Sequence, residues 1–167
     1  MKKALCGLLA VICFSFPAFA EDFAGLEIPI PETWELEKSD PSEDGNSIMN
    51  IYRAAEEEYV VVYIQNVGFL NEDTQIMANM YLTDCGTAYG DNEGFYLMTD
   101  AETKNNDLLT KMQDCVYQDI SGQWQYVFLG SRNRGDYVIT FIYQAQTTSL
   151  RLGYTDFILL YNDYIAE

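Results

Sequence analysis

The reactive side chains in this sequence fall into a few groups, and imidazole is not among them, because the chain holds no histidine. That removes the usual general base, the commonest metal ligand and the ordinary serine triad. Sulfur is limited to 4 cysteines, with Cys6 and Cys13 near the start and Cys85 and Cys115 in the body of the chain. Carboxylates remain. Glu56-Glu57-Glu58, Asp91 with Glu93, and Asp100 with Glu102 place acidic groups close together in sequence. Two carboxylates catalyse hydrolysis only around a cleft whose environments hold one protonated and the other ionised. These clusters sit in polar turns and read as solvated charge, so no catalytic residue is assigned. A carboxylate-based hydrolase stays as the alternative class. No glycine-rich phosphate loop follows a strand and opens a helix, and no cofactor is expected.

Two short motifs invite a binding reading. "DPSEDGN" supplies Asp40, Ser42, Asp44, Gly45 and Asn46, which match the start of an EF-hand-type calcium loop. The last position of such a loop should be a bidentate glutamate, but here it is Ile51. A plain turn is the better reading, weak calcium binding is the alternative, and no metal site is assigned. Arg134-Gly135-Asp136 spells an adhesion tripeptide. Gly and Asp also favour tight turns, and a hairpin tip suits both readings.

The opening "MKKALCGLLAVICFSFPAFA" joins Lys2 and Lys3 to an apolar run, a helix-breaking Pro17 and the small-x-small sequence Ala18-Phe19-Ala20. This pattern predicts a secretory signal peptide over residues 1–20, cut before Glu21. The run is shorter than the about 20 apolar residues a stable span needs. Cys13 as a lipidation site is disfavoured by the bulky Ile12 before it. The mature chain, 21–167, is expected in the periplasm or outside the cell, with no later membrane span. There Cys85 and Cys115 form the one remaining pair, and an oxidising compartment predicts a disulfide between them.

Loss of the leader takes Lys2 and Lys3 but no carboxylate, moving the net charge from −17 to −19. Such a chain repels nucleic acid and anionic lipid and attracts cationic proteins or peptides. Acidity kept only for solubility explains the charge equally well. Glu56, Glu57, Glu58 and the Arg134, Gly135, Asp136 tripeptide are the candidate binding residues.

The mature length suits a single domain. The 13 tyrosines favour sheet and interface positions. Leu26, Ile28 and Ile30 alternate, and Pro29 confines that strand to an edge. "KSDPSEDGNS" reads as a loop. "SIMNIYRA" and "EYVVVYIQNV" read as a hairpin turning at Ala54 to Glu57. The unbroken apolar run Val60 to Ile64 predicts a strand covered on both faces. A helix is predicted from an Asn71 cap, with Ile76, Met77, Met80 and Tyr81 on one face and Gly86 as its stop. "FYLM" is a short strand, "TDAETKNND" a polar helical turn and Lys111 to Ile120 a strand. Trp124, Tyr126 and Phe128 alternate, as do Tyr137, Ile139, Phe141 and Tyr143. They predict a hairpin with Gly130 to Asp136 as its loop. Phe157, Leu160, Tyr161 and Tyr164 predict a C-terminal amphipathic helix starting near Gly153, with Thr155 as cap.

The segment Ile30-Pro31-Glu32-Thr33-Trp34, the late strand "DYVITFIYQA" and the final helix resemble the PsbP-like exported domains, including their DcrB-type bacterial relatives. The resemblance implies an antiparallel sheet between helices and an accessory, assembly or binding role without shared catalytic residues. The expected fold is therefore α+β: an antiparallel sheet of about five to six strands flanked by helices, with a C-terminal helix. The expected function is a non-enzymatic binding or accessory protein, of the inhibitor or immunity type, for a basic protein partner.

Overall fold

The molecule is organised around one strand that is apolar on both sides. In the computed structural model, which describes residues 20–23, 26–68, 82, 84–105, 108–134, 136–149 and 151–163, that strand is Tyr137–Gln146. It is buried without interruption from Val138 to Tyr143. Its neighbours are one strand next to it in sequence and one from much earlier in the chain. Ala20–Phe23 (β1) and Leu26–Pro29 (β2) form a small antiparallel ribbon. Glu35–Pro41 (β3), Ser47–Ala55 (β4), Glu58–Asn66 (β5), Tyr96–Asn105 (β6), Leu108–Gln118 (β7), Trp124–Arg134 (β8) and Tyr137–Gln146 (β9) form a seven-stranded sheet. Its order is β3-β4-β5-β9-β8-β7-β6, and every pairing is antiparallel. The helices among the described residues are Cys85–Tyr89 (α1) and Tyr154–Tyr161 (α2).

The two faces bury different sets of side chains. On one, Val60, Val62 and Ile64 of β5, Phe141 and Tyr143 of β9, and Phe128 of β8 meet Phe157, Leu160 and Tyr161 of α2. The aromatic rings pack edge-on, with Phe128 and Phe157 centroids 5.6 Å apart, a favoured arrangement. Ile28, Ile30 and Trp34 join the same core. The Trp34 amide donates to the Pro31 carbonyl at 3.0 Å. That turn drops the indole beside Tyr52, with centroids 6.1 Å apart. On the other face, Cys85 of α1 packs on Cys115, Tyr117, Val127, Leu129 and Ile142.

The expectation of five to six strands between helices is overturned. This is a sheet-dominated fold of seven paired strands, with two short helices among the described residues. Three segments read as loop or helical turn are strand. Lys38–Pro41 belongs to β3, and 99–105 belongs to β6. Both are edge strands. They need no apolar face, so alternation is missing, and β3 is exposed along its whole length. Residues 130–134, read as hairpin loop, extend β8. Polar residues survive there because the Ser131 and Thr140 hydroxyls hydrogen-bond across strands at 2.7 Å, in the core. Arg134 pairs with Tyr137, leaving only positions 135 and 136 to connect β8 and β9.

The unbroken run in β5 is not evenly covered: Val60, Val62 and Ile64 are buried, whereas Val61 and Tyr63 are half-buried. The doubly covered strand is β9, the middle of the sheet. Gly86 does not end a helix. Asp84 caps α1 just before it, its carboxylate accepting from the Thr87 amide at 2.7 Å. The helix expected from Asn71, with Ile76, Met77, Met80 and Tyr81, lies outside the described residues, as do Tyr164 and the leader before Ala20. No helix among the described residues is long and apolar enough to cross a membrane.

Candidate functional site

The acidic triplet is split by the strand it opens. Glu56 and Glu57 form the β4–β5 turn and face solvent, and Glu57 takes a left-handed φ of 59°. Glu58 begins β5 and points inward, leaving 1% of its surface exposed. Its Oε2 accepts from the Tyr143 hydroxyl and from the Gly153 amide, both at 2.8 Å. Its Oε1 accepts from the Leu152 amide at 2.7 Å. Gly153, not Thr155, is the N-cap of α2, and it supplies no side-chain cap of its own. Glu58 therefore anchors the start of α2 to the sheet, through the N-cap amide and the amide before it. Its charge meets the positive end of the helix and takes up otherwise orphaned N–H groups. The approach requires glycine: a Cβ on Gly153 would lie 2.6 Å from that of Ala54. Burial first, and then the bond to Glu58, push the Tyr143 hydroxyl far above its usual range.

Beside this anchor is a cleft of about 200 Å³ between the 55–58 turn and Thr148, Ser149 and Leu152. It presents two solvated carboxylates and one that is already saturated. Retained as a catalytic pair, these groups would need a proton donor and an acceptor with free lone pairs facing the cleft. Glu58 has spent its oxygens on its own chain.

The other sequence candidates lie apart. The Arg134–Asp136 tip is at the opposite end of the sheet, because Glu58 pairs with Ala145 and Asn66 with Tyr137. Eight strand steps of about 3.4 Å separate the two ends by roughly 27 Å. Asp136 is tied down: its carbonyl accepts from the Val67 amide at 2.6 Å, and its side chain packs on Gly68. Gly135 lies outside the described residues. In the 42–46 turn, Asp44 accepts from the Ser42 hydroxyl at 2.7 Å and from the Asn46 amide and side chain at 3.0 and 2.9 Å. These bonds hold its carboxyl at about 2, well below the usual range. The turn joins two strands, β3 and β4, rather than two helices. Among the described residues, no group of three or more Cys, Asp or Glu side chains is placed to hold a metal ion.

Asp100 accepts from the Gln113 amide group at 2.7 Å, and Gln113 accepts from the Cys85 amide at 2.7 Å. This chain ties β6 and β7 to α1. The expected Cys85–Cys115 bridge is not formed in the structure: both residues are buried free thiols. They are hydrogen-bonded neighbours, and that bond together with burial pushes the Cys85 thiol well above its usual range. The same bond lowers the Cys115 thiol, against burial and the nearby Asp114 charge, which raise it.

No family model matches the sequence, and no curated protein matches it. Solved structures do. The solution structure of cyanobacterial PsbP (CyanoP) from Synechocystis sp. PCC 6803 aligns over 94% of this chain and 94% of that one, with 9% identity and a TM-score of 0.52. The crystal structure of a protein of unknown function, PA94, from Pseudomonas aeruginosa aligns over 84% and 90%, with 13% identity and a TM-score of 0.46. At the level of fold, the chain resembles PsbP. Identity this low carries the fold and no residue roles.

On this PsbP-like sheet lies a feature that the sequence reading missed. Tyr96, Ile120, Trp124 and Leu152 are large, apolar and exposed, at 66%, 108%, 44% and 70%. All belong to the end of the sheet that carries the Glu56–Glu57 turn. Asp119 makes that end rigid. Its Oδ1 accepts from the Ser121 amide and hydroxyl at 2.8 and 2.6 Å and from the Gln123 amide at 3.1 Å. Its Oδ2 accepts from Gln125 at 2.7 Å. Sequence alternation had marked Trp124 as the start of a strand but could not show that the covering helix stops short of it.

The bonds to Asp119, led by the Ser121 hydroxyl, lower its carboxyl to about 2. A carboxyl depressed on folding stabilises fully above the unfolded value of about 3.9, and the effect is lost as pH falls through the folded value. Between about pH 4 and pH 2 the parent should therefore lose melting temperature more steeply than Asp119→Asn. Thermal melts across that range read the difference, and parallel slopes would contradict the network.

Proposed function

We propose that this chain is an exported, non-enzymatic binding or accessory domain of the PsbP-like, DcrB-type kind. Its partner is a basic protein or peptide, in the manner of an inhibitor or immunity protein. One observation carries the reading. In the cleft by the β4–β5 turn, the buried carboxylate is saturated by its own chain, while Glu56 and Glu57 face solvent. Solvated carboxylates attract cations but supply no proton-transfer pair. The net charge of −17 without a histidine extends the same bias to the whole surface.

Calorimetric titration with an arginine-rich peptide tests this. Binding is expected at physiological salt, and it should weaken several-fold at about 0.5 M salt, where exposed charges are screened. A glutamate-rich peptide of equal length should not bind. Salt-independent binding, or none, would remove charge as the basis of recognition.

Export also fits the thiol pair. Exchange with a disulfide oxidant would join the Cys85 and Cys115 sulfurs and reduce the oxidant to its dithiol, two protons and two electrons leaving the pair. The closed loop should then stabilise the domain by about 3–4 kcal/mol. Intact mass about 2 Da lower and a higher urea midpoint than the reduced protein are the expected signatures. Thiols that remain free after oxidative refolding would contradict it.

A further inference from the structure

We infer that the end of the sheet bearing Tyr96, Ile120 and Trp124 is the docking surface, and that its partner is a cationic amphipathic segment with arginines interleaved among aliphatic residues. This rests on the binding reading above and adds to it the surface and the chemistry of the partner.

The pairing register places these side chains together. Tyr96 pairs with Val116, Val116 with Tyr126, and Gln118 with Trp124. Tyr96, Trp124 and Tyr126 therefore share one sheet face, the face on which α2 packs. Helix α2 covers Phe128 and Tyr143 through Phe157. Tyr126 is still buried, but Trp124 and Tyr96 lie beyond that cover.

The surface is built in advance. A Cβ on Gly94 would come within 2.7 Å of the Trp124 ring, so the six-membered part of the indole lies against a glycine, and the side chain is still 44% exposed. Gly94 has a φ of +65°, which also favours glycine. Ile120 projects from the turn that Asp119 locks, so an apolar knob is displayed from rigid backbone. Rigid exposed apolar groups lower the ordering cost of binding.

Charge selects the partner. Glu93 lies at this end, its carbonyl accepting from the Gln118 amide at 2.8 Å. The Thr147 amide donates to the Trp124 carbonyl at 3.0 Å, and this joins the patch to the cleft of Glu56 and Glu57. Nearby cations are committed. Arg53 pairs with Glu35 and Glu37. Arg151 lies over the Tyr126 ring, 4.2 Å from its centroid. That contact shows within the chain how this row of rings takes a guanidinium. An incoming arginine finds the Trp124 face and unpaired carboxylates, and the aliphatic residues beside it find Ile120, Tyr96 and Leu152.

The test uses the full chain and a synthetic peptide alternating arginine and leucine, with a glutamate–leucine peptide as control. Trp34 is 7% exposed and Trp124 is 44% exposed, so a blue shift of emission on adding peptide reports on Trp124. Calorimetry should show affinity falling about tenfold or more in Trp124→Ala and Tyr96→Ala, as for central aromatic anchors. Ile120→Ser keeps the test valid should either aromatic variant fold poorly, because a fully exposed side chain supports no packing, and it should weaken binding in the same direction. Glu43→Gln, in the exposed β3–β4 turn at the opposite end, should leave affinity unchanged. Equal affinity in Ile120→Ser and Trp124→Ala would overturn this surface while leaving the charge-driven reading standing. Equal binding of the glutamate–leucine peptide would overturn the cationic partner. No binding of either peptide would end both. A free chain that sediments as a dimer and becomes monomeric in Trp124→Ala would make the occupant a second copy, and would overturn the proposal.

Discussion

One buried carboxylate holds the two layers of this molecule together. Glu58 sits where β5 begins, faces the ring hydroxyl of β9 and reaches the amides of Leu152 and Gly153, at the N-cap of α2 and the residue before it. Burying a carboxylate is expensive unless hydrogen bonds to its charged form compensate. Here a phenol and two backbone amides do so. In return the helix receives a second anion at its N-terminus, beside its own Asp156 in the first turn. The constraint propagates. Gly153 must be glycine to allow the approach, and Arg151, two residues earlier, takes a left-handed φ of 52°. Its guanidinium lies over Tyr126.

The same constraint decides what the adjoining cleft can do. The Glu58 carboxylate is engaged on both oxygens by its own chain, and Glu56 and Glu57 face solvent. The thiols are likewise internal, one from α1 and one from β7. What the molecule turns outward is charge and a rigid fringe of apolar groups. Those are the materials of recognition: complementary charge brings a partner in and selects it, and desolvated aromatic anchors hold it.

Strands whose aromatic residues alternate were legible in the sequence. The hairpin of β8 and β9 was legible from the alternation of Trp124, Tyr126 and Phe128 and then Tyr137 to Tyr143, although both strands proved to be buried on both faces. The helix carrying Phe157, Leu160 and Tyr161 was legible for the same kind of reason. The edges were not. Lys38–Pro41 and 99–105 contribute backbone hydrogen bonds and little burial, so no pattern marks them, and the sheet was read short. The role of Glu58 was hidden as well. Its partners, Tyr143, Leu152 and Gly153, lie 85 to 95 positions away. The available clue was indirect: α2 opens on glycine without a capping side chain, so its first amides had to be satisfied from elsewhere. The exposed patch was unreadable because alternation marks an apolar face without saying how far its cover extends.

The most direct test of this account removes the Glu58 carboxylate and follows the amides it holds. In Glu58→Ala, hydrogen exchange at Leu152 and Gly153 should accelerate together with that of α2, and the urea midpoint should fall by the equivalent of about 3 kcal/mol or more, since buried donors are orphaned. The Glu56→Gln, Glu57→Gln double variant should leave both unchanged. A Glu58→Ala protein with parental exchange and stability would contradict the account, as would one that stays folded but loses turnover of some substrate.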